Sequence, residues 1–122
     1  MQMDYRGKSP VAFSFMGKRE KVSSFKDILV FLCARLASMD PDCFEKKVLE
    51  LGLSTSHGRK RKYFALSSCA MDQPVLIPGT RVYVETKHSA NGMRIRDDVL
   101  ELFGYSATSL SMEFAKVIPV AL

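Results

Sequence analysis

The sequence predicts an α+β fold, a small and mostly antiparallel sheet with about three helices packed on one face, and three observations carry that prediction. Period-two alternation of apolar residues appears near both ends of the chain, at Val11, Phe13 and Phe15 and again from Leu110 to Val117. Between them lie runs with helical spacing, the longest from Ser24 to Ser38. The chain has 122 residues, 47% hydrophobic and 25% charged, which suits one domain with one core.

Residues 1–10 hold Asp4, Arg6, Gly7, Lys8 and Pro10 with little to bury, so they predict a flexible N-terminal segment ahead of a single domain over 11–122. The first strand ends at Gly17-Lys18, and Arg19 to Val22 returns as a second, making a hairpin with a basic tip at Lys18, Arg19 and Lys21. Ser24 stands three residues before Asp27. That spacing lets the hydroxyl accept the amide at N3 while the acid faces the positive end of the helix dipole. Phe25, Ile28, Leu29, Leu32, Leu36 and Met39 then recur at three and four residues and form one apolar face.

Asp40-Pro41 reads as an N-cap followed by proline at N1, opening a second helix through Phe44, Val48, Leu49 and Leu51 that stops at Gly52. Residues 53–58 are a loop by composition, and the basic run after them enters a strand at Tyr63-Phe64-Ala65-Leu66. Residues 67–80, with Pro74, Pro78 and Gly79, read as a long connection. Arg81 to Thr86 is the next strand, with Val82 and Val84 on one face and Tyr83, Glu85 and Lys87 on the other. Ser89 caps a third helix carrying Ile95, Val99, Leu102 and Phe103, closed by Gly104, and Leu110 to Val117 is the last strand. The expected order is β-β-α-α-β-β-α-β.

Composition narrows the function classes. Eighteen Lys and Arg against thirteen Asp and Glu leave a formal charge of +5, which favours phosphate backbones or acidic protein surfaces. Cys33, Cys43 and Cys69 are odd in number and none is in a Cys-x-x-Cys pair, so neither a disulfide framework nor a zinc site fits. His57 and His88 lie thirty-one residues apart with no ligand-like partner. No cofactor, metal or catalytic residue is expected. No apolar run approaches the roughly 18 residues that span a bilayer, and residues 1–10 are polar where a signal peptide is apolar, so the expectation is a cytoplasmic protein with no membrane partner.

The densest functional signal is His57-Gly58-Arg59-Lys60-Arg61-Lys62-Tyr63-Phe64. Arg59, Lys60, Arg61 and Lys62 can follow a phosphate backbone, and Tyr63 can stack a base. The plain alternative is a charged edge strand that resists aggregation. A second candidate is the start of the third helix, where Ser89, Asn91 and Gly92 offer a hydroxyl, an amide and free backbone N–H groups, with Arg94 and Arg96 behind them. Most Ser caps only cap. A third is Asp72 with Glu85-Thr86-Lys87, the spacing of metal-dependent nucleases of the PD-(D/E)xK type, in which a carboxylate holds Mg²⁺ and a lysine polarises water. Asp72 lies in a proline-containing segment, and Glu85 and Lys87 can equally be solvent-facing neighbours on an open sheet face.

Several stretches form a pattern when taken together: Gly17-Lys18-Arg19, Val22 to Leu29, Gly58 to Phe64, Val82 to Thr86, Ser89-Ala90-Asn91 and Leu100 to Tyr105. Over roughly residues 12–114 they resemble an uncharacterised accessory domain of bacterial restriction and phage-defence proteins. The resemblance implies a role beside DNA or a DNA-processing assembly. In that pattern the residue after Glu85-Thr86 is commonly polar and uncharged, whereas here Lys87-His88 precedes Ser89. The resemblance assigns no binding residues, so the sites above rest on charge and geometry. The expected function is a non-catalytic nucleic-acid-binding accessory module, with DNA favoured over RNA. The alternatives are a protein–protein adaptor or phage-encoded inhibitor that docks on a defence complex, and the Mg²⁺-dependent nuclease.

Overall fold

A computed structural model of the chain describes residues 9–52, 63–69, 71–87 and 93–115. Its elements run β1 (Pro10–Phe15), β2 (Lys18–Lys21), α1 (Phe25–Met39), α2 (Pro41–Gly52), β3 (Phe64–Ala65), β4 (Pro74–Leu76), β5 (Tyr83–Glu85), α3 (Met93–Leu102) and β6 (Leu110–Phe114), with a 3-10 turn at Ala107–Ser109 before β6. The fold is α+β.

The strands form two antiparallel sheets of three, ordered β2-β1-β6 and β3-β5-β4, where the sequence suggested one sheet. In the first, alternation along β1 sends Phe13 and Phe15 inward opposite Met112 and Leu110 of β6, while Ser14 lies opposite Ser111 on the outer face. Pro10 is buried and pairs with Phe114, so the last residue of the segment expected to be flexible lies in a strand; residues 1–8 lie outside the described residues. In the second sheet, β4 occupies the stretch expected to be a connection. It is three residues long and opens on Pro74, and proline is tolerated at the first residue of an edge strand because no ladder partner needs its missing N–H.

The helices start and stop where local chemistry directs. Ser24, with φ −159°, accepts the Asp27 N–H on its hydroxyl at 3.2 Å. The Asp27 carboxylate in turn accepts from the N–H and hydroxyl of Ser23 at 3.0 and 2.8 Å. Asp40 ends α1 and begins the next helix: its N–H donates to Leu36 O, and its carboxylate accepts the Cys43 N–H at 3.3 Å. At the end of α3, Tyr105 N–H reaches Leu100 O and Gly104 N–H reaches Glu101 O, a Schellman motif that needs the left-handed φ of +84° at Gly104.

One hydrophobic cluster joins both sheets to all three helices. Phe13, Phe15, Phe44 and Phe64 are fully buried, each stabilising the fold by roughly 2–3 kcal/mol relative to exposure. Phe15 meets Tyr105 edge to face at 5.1 Å, and Phe44 stacks on Phe103 at 5.7 Å. Helix α1 buries Ile28, Leu29, Val30, Leu32, Cys33, Leu36 and Ala37, more of its circumference than a single stripe. Met39, placed by its spacing on the apolar face, is 53% exposed because α1 outruns the core at its last turn.

Two outcomes follow from this packing. Replacing Ser24 with Ala removes the cap and should lower stability by about 1 kcal/mol, measured by urea unfolding. Burial pushes the Cys33 thiol up to about 12, while Cys43 is half-buried and Cys69 exposed. A thiol reagent at mildly alkaline pH should therefore modify Cys69 and Cys43 in the native protein and reach Cys33 only on unfolding. Rapid native modification of Cys33 would contradict the packing.

Candidate nucleic-acid interface

The β1–β2 hairpin is the part of the expected basic surface that the structure describes best. Its loop is Met16-Gly17, with φ +53° and +75°, the positive pair that a tight two-residue hairpin turn requires. Register then assigns faces. Lys18 and Glu20 lie opposite Phe15 and Phe13 and so share the sheet's inner face at its margin; Arg19 and Lys21, opposite Ser14 and Ala12, project from the outer face.

The three hairpin cations are thus divided between two faces. Lys18, Arg19 and Lys21 are all exposed. Arg19 is already committed across the sheet to Glu113, with Nε 2.6 Å from Oε2. On the inner side Arg35 of α1 ties the hairpin to the helix. Its Nη1 donates to the carbonyls of Phe15 and Lys18 at 3.1 and 3.0 Å, and its guanidinium lies 4.9 Å from the centre of the Phe13 ring. Its Nη2 sits 3.1 Å from Glu20 Oε2, an ion pair whose angle falls outside hydrogen-bond geometry.

The remaining candidates belong to other elements. Tyr63 is half-buried against the core and its carbonyl accepts the Glu85 N–H at 2.9 Å, so its ring is partly engaged in packing. Arg94 is exposed on the first turn of α3, where its charge opposes the desolvation that raises the pKa of Asp98. Arg96 is buried, its guanidinium 5.5 Å from the Phe25 ring centre, which makes it a packing residue. Arg59, Lys60, Arg61, Lys62, Ser89, Asn91 and Gly92, with His57 and His88, lie outside the described residues.

Asp72, Glu85 and Lys87 do come together. Lys87 Nζ lies 3.9 Å from Asp72 Oδ2, and the Asp72 N–H donates to Glu85 Oε1 at 2.7 Å. The expectation of a solvent-facing Glu85 is corrected, however: Glu85 is 5% exposed. Its Oε2 accepts the N–H groups of Gln73 and Lys87 at 2.8 and 3.3 Å. Both oxygens therefore hold the backbone at the open end of the β4–β5 hairpin, a use of a carboxylate that a central strand covered on both sides permits. Among the described residues, no group of three or more His, Cys, Asp or Glu side chains is placed to hold a metal ion.

Two features were not foreseen from the sequence. Arg81 makes a bidentate pair with Glu45 of α2 through its Nε and through Nη2, the latter at 3.1 Å, and this hydrogen bond holds the Glu45 carboxyl below its ordinary range. The second is a groove between the hairpin turn and the end of α1, lined by Met16, Lys18, Arg35 and Met39 among others. The sequence signal that could have found it is Arg35, an arginine set directly before Leu36 on the apolar helix.

Fold and site together define a small α+β chain with a charged edge strand and two backbone-binding polar side chains, Arg35 and Glu85. Against known proteins, no family model, no curated protein and no solved structure matches the chain.

The Glu85 contacts predict a structural phenotype. Glu85→Ala leaves three backbone amides without their acceptor and should lower stability by about 2–3 kcal/mol, a drop in Tm of roughly 10 °C, read by calorimetry or circular dichroism. Lys87→Ala, which removes only an exposed ion pair, should change Tm by less than about 2 °C.

Proposed function

We propose that this chain is a non-catalytic accessory module that binds nucleic acid, DNA in preference to RNA, mainly by its phosphates, in the cytoplasm and beside an assembly that processes or defends DNA. The observation that carries the reading is the edge strand β2, which exposes Lys18, Arg19 and Lys21 in four residues on a chain with a formal charge of +5. The sequence adds Arg59 to Lys62, a longer basic run followed by Tyr63. Arg94 and the Ser89-to-Gly92 segment would supply a further phosphate contact. The resemblance to an accessory domain of restriction and phage-defence proteins supplies the cellular setting. No described helix is long and apolar enough to cross a membrane.

The burial of Glu85 supports the non-catalytic part of the reading, because its oxygens already serve three amides and Asp72 supplies the lone exposed carboxylate of that trio. A protein partner is the second reading. The apolar groove beside β2 favours it, since phosphates have no use for such a surface.

The test is fluorescence polarisation with short single- and double-stranded DNA and RNA over a salt series. Wild type should bind DNA with a steep salt dependence. Changing Arg59, Lys60, Arg61 and Lys62 together to Ala should remove most of the affinity, and the log–log slope should fall by about 0.7–0.9 for each phosphate that the variant no longer neutralises. Lys18→Ala with Lys21→Ala should weaken binding less. Absence of binding at low salt defeats the reading. Mg²⁺-dependent nicking that disappears in Lys87→Ala would replace it with the nuclease.

A further inference from the structure

The groove beside β2 has a volume of about 210 Å³ and is lined by Phe15, Met16, Lys18, Arg35, Ser38 and Met39. Met16 and Met39 are 60% and 53% exposed, the two most exposed large hydrophobic side chains among the described residues. Thioether side chains of this kind reshape around whatever apolar group they meet, which suits a docking surface. Arg35 is occupied by the hairpin carbonyls and Glu20, so Lys18 is the charge the groove offers.

The same side of the molecule carries an open strand edge. β2 is the outer strand of its sheet, and among the described residues no strand pairs with its far side. Phe15 and Lys18 flank the two-residue turn, and hydrogen-bonded and non-hydrogen-bonded pairs alternate from there. Lys18 and Glu20 therefore turn their backbone groups toward β1, while Arg19 and Lys21 turn theirs away. The Val22 N–H donating to Val11 O at 3.0 Å continues that alternation.

We infer that the free edge of β2 takes an extended acidic segment of a partner protein as an added strand, seating one of its apolar side chains in the groove between Met16 and Met39. The edge presents N–H donors and C=O acceptors in alternation. A peptide strand satisfies both, whereas a phosphate backbone only accepts. Charge selects among peptides. A second copy of this chain would oppose Lys18, Arg19 and Lys21 with the same three cations, while Asp and Glu side chains complement them. This inference does not depend on nucleic-acid binding, and it competes with that reading only for Lys18, Arg19 and Lys21 of β2.

The test uses short synthetic peptides of alternating Glu and Val, with a Lys and Val counterpart and a third peptide N-methylated at alternate residues of the Glu version. Binding is followed by NMR on methionine methyl groups and backbone amides. The Glu peptide should move the Met16 and Met39 methyl signals and the Arg19 and Lys21 amides. It should bind at least about tenfold tighter than the Lys peptide, and Met16→Ser with Met39→Ser should weaken it about tenfold. N-methylation should abolish binding, since it removes the donors that pair with β2. Equal binding of Glu and Lys peptides, unchanged affinity of the N-methylated peptide, or shifts confined to other elements would overturn the inference. So would concentration-dependent shifts of the same methyl groups without peptide, which mean a second copy, or their displacement by a short DNA oligomer.

Discussion

Burial of α1 over rather more than half of its circumference is the constraint from which the rest of the architecture follows. A helix with Ile28, Leu29, Val30, Leu32, Cys33, Leu36 and Ala37 all buried cannot rest on one sheet face and leave the other side to water. It requires apolar surface from several directions, and one cluster supplies it: Phe13 and Phe15 from the first sheet, Phe64 and Val84 from the second, Phe44 and Val48 from α2, and Ile95 and Val99 from α3. Two small sheets meet that demand better than one flat sheet of six strands. The pairing of β1 with β6 then ties the first described strand to the last.

How far the sequence revealed this arrangement depended on the range of the interaction involved. Ser24 with Asp27, Asp40 with Pro41, and Gly104 are local signals, and the helix ends fall beside them because caps are made within a few residues. The pairing of β1 with β6 is an interaction between residues about a hundred positions apart, and alternation alone does not choose a partner. β4 was missed because a three-residue strand that opens on a proline carries too little periodicity to separate it from a loop. Val84 and Glu85 are both buried on adjacent positions of one strand, which alternation excludes unless both faces are covered, and coverage is a tertiary fact.

The candidate site was legible in composition and illegible in geometry. Lys18, Arg19 and Lys21 read as one basic tip, yet strand alternation sends Arg19 toward Glu113 and Lys18 toward the groove. Glu85 and Arg35 show the reverse case. Each has the chemistry of a functional residue, and each is turned toward its own backbone, closing the β4–β5 hairpin in one instance and fastening the β1–β2 hairpin to α1 in the other. A charged side chain half or fully withdrawn from water needs such partners, and main-chain groups at irregular ends supply them.

Met16 occupies a left-handed backbone position, at φ +53°, where a turn shaped for folding alone would carry Asn or Gly. A side chain there costs about 1 kcal/mol relative to glycine. The flexible thioether, largely in water, returns little of that through burial, and the Tyr105 hydroxyl stands 3.5 Å from its sulfur. The hairpin is therefore less stable than its own length and register allow. A consensus-style stabilisation of this protein would replace Met16 first, and the contact with Tyr105 and one wall of the groove would go with it.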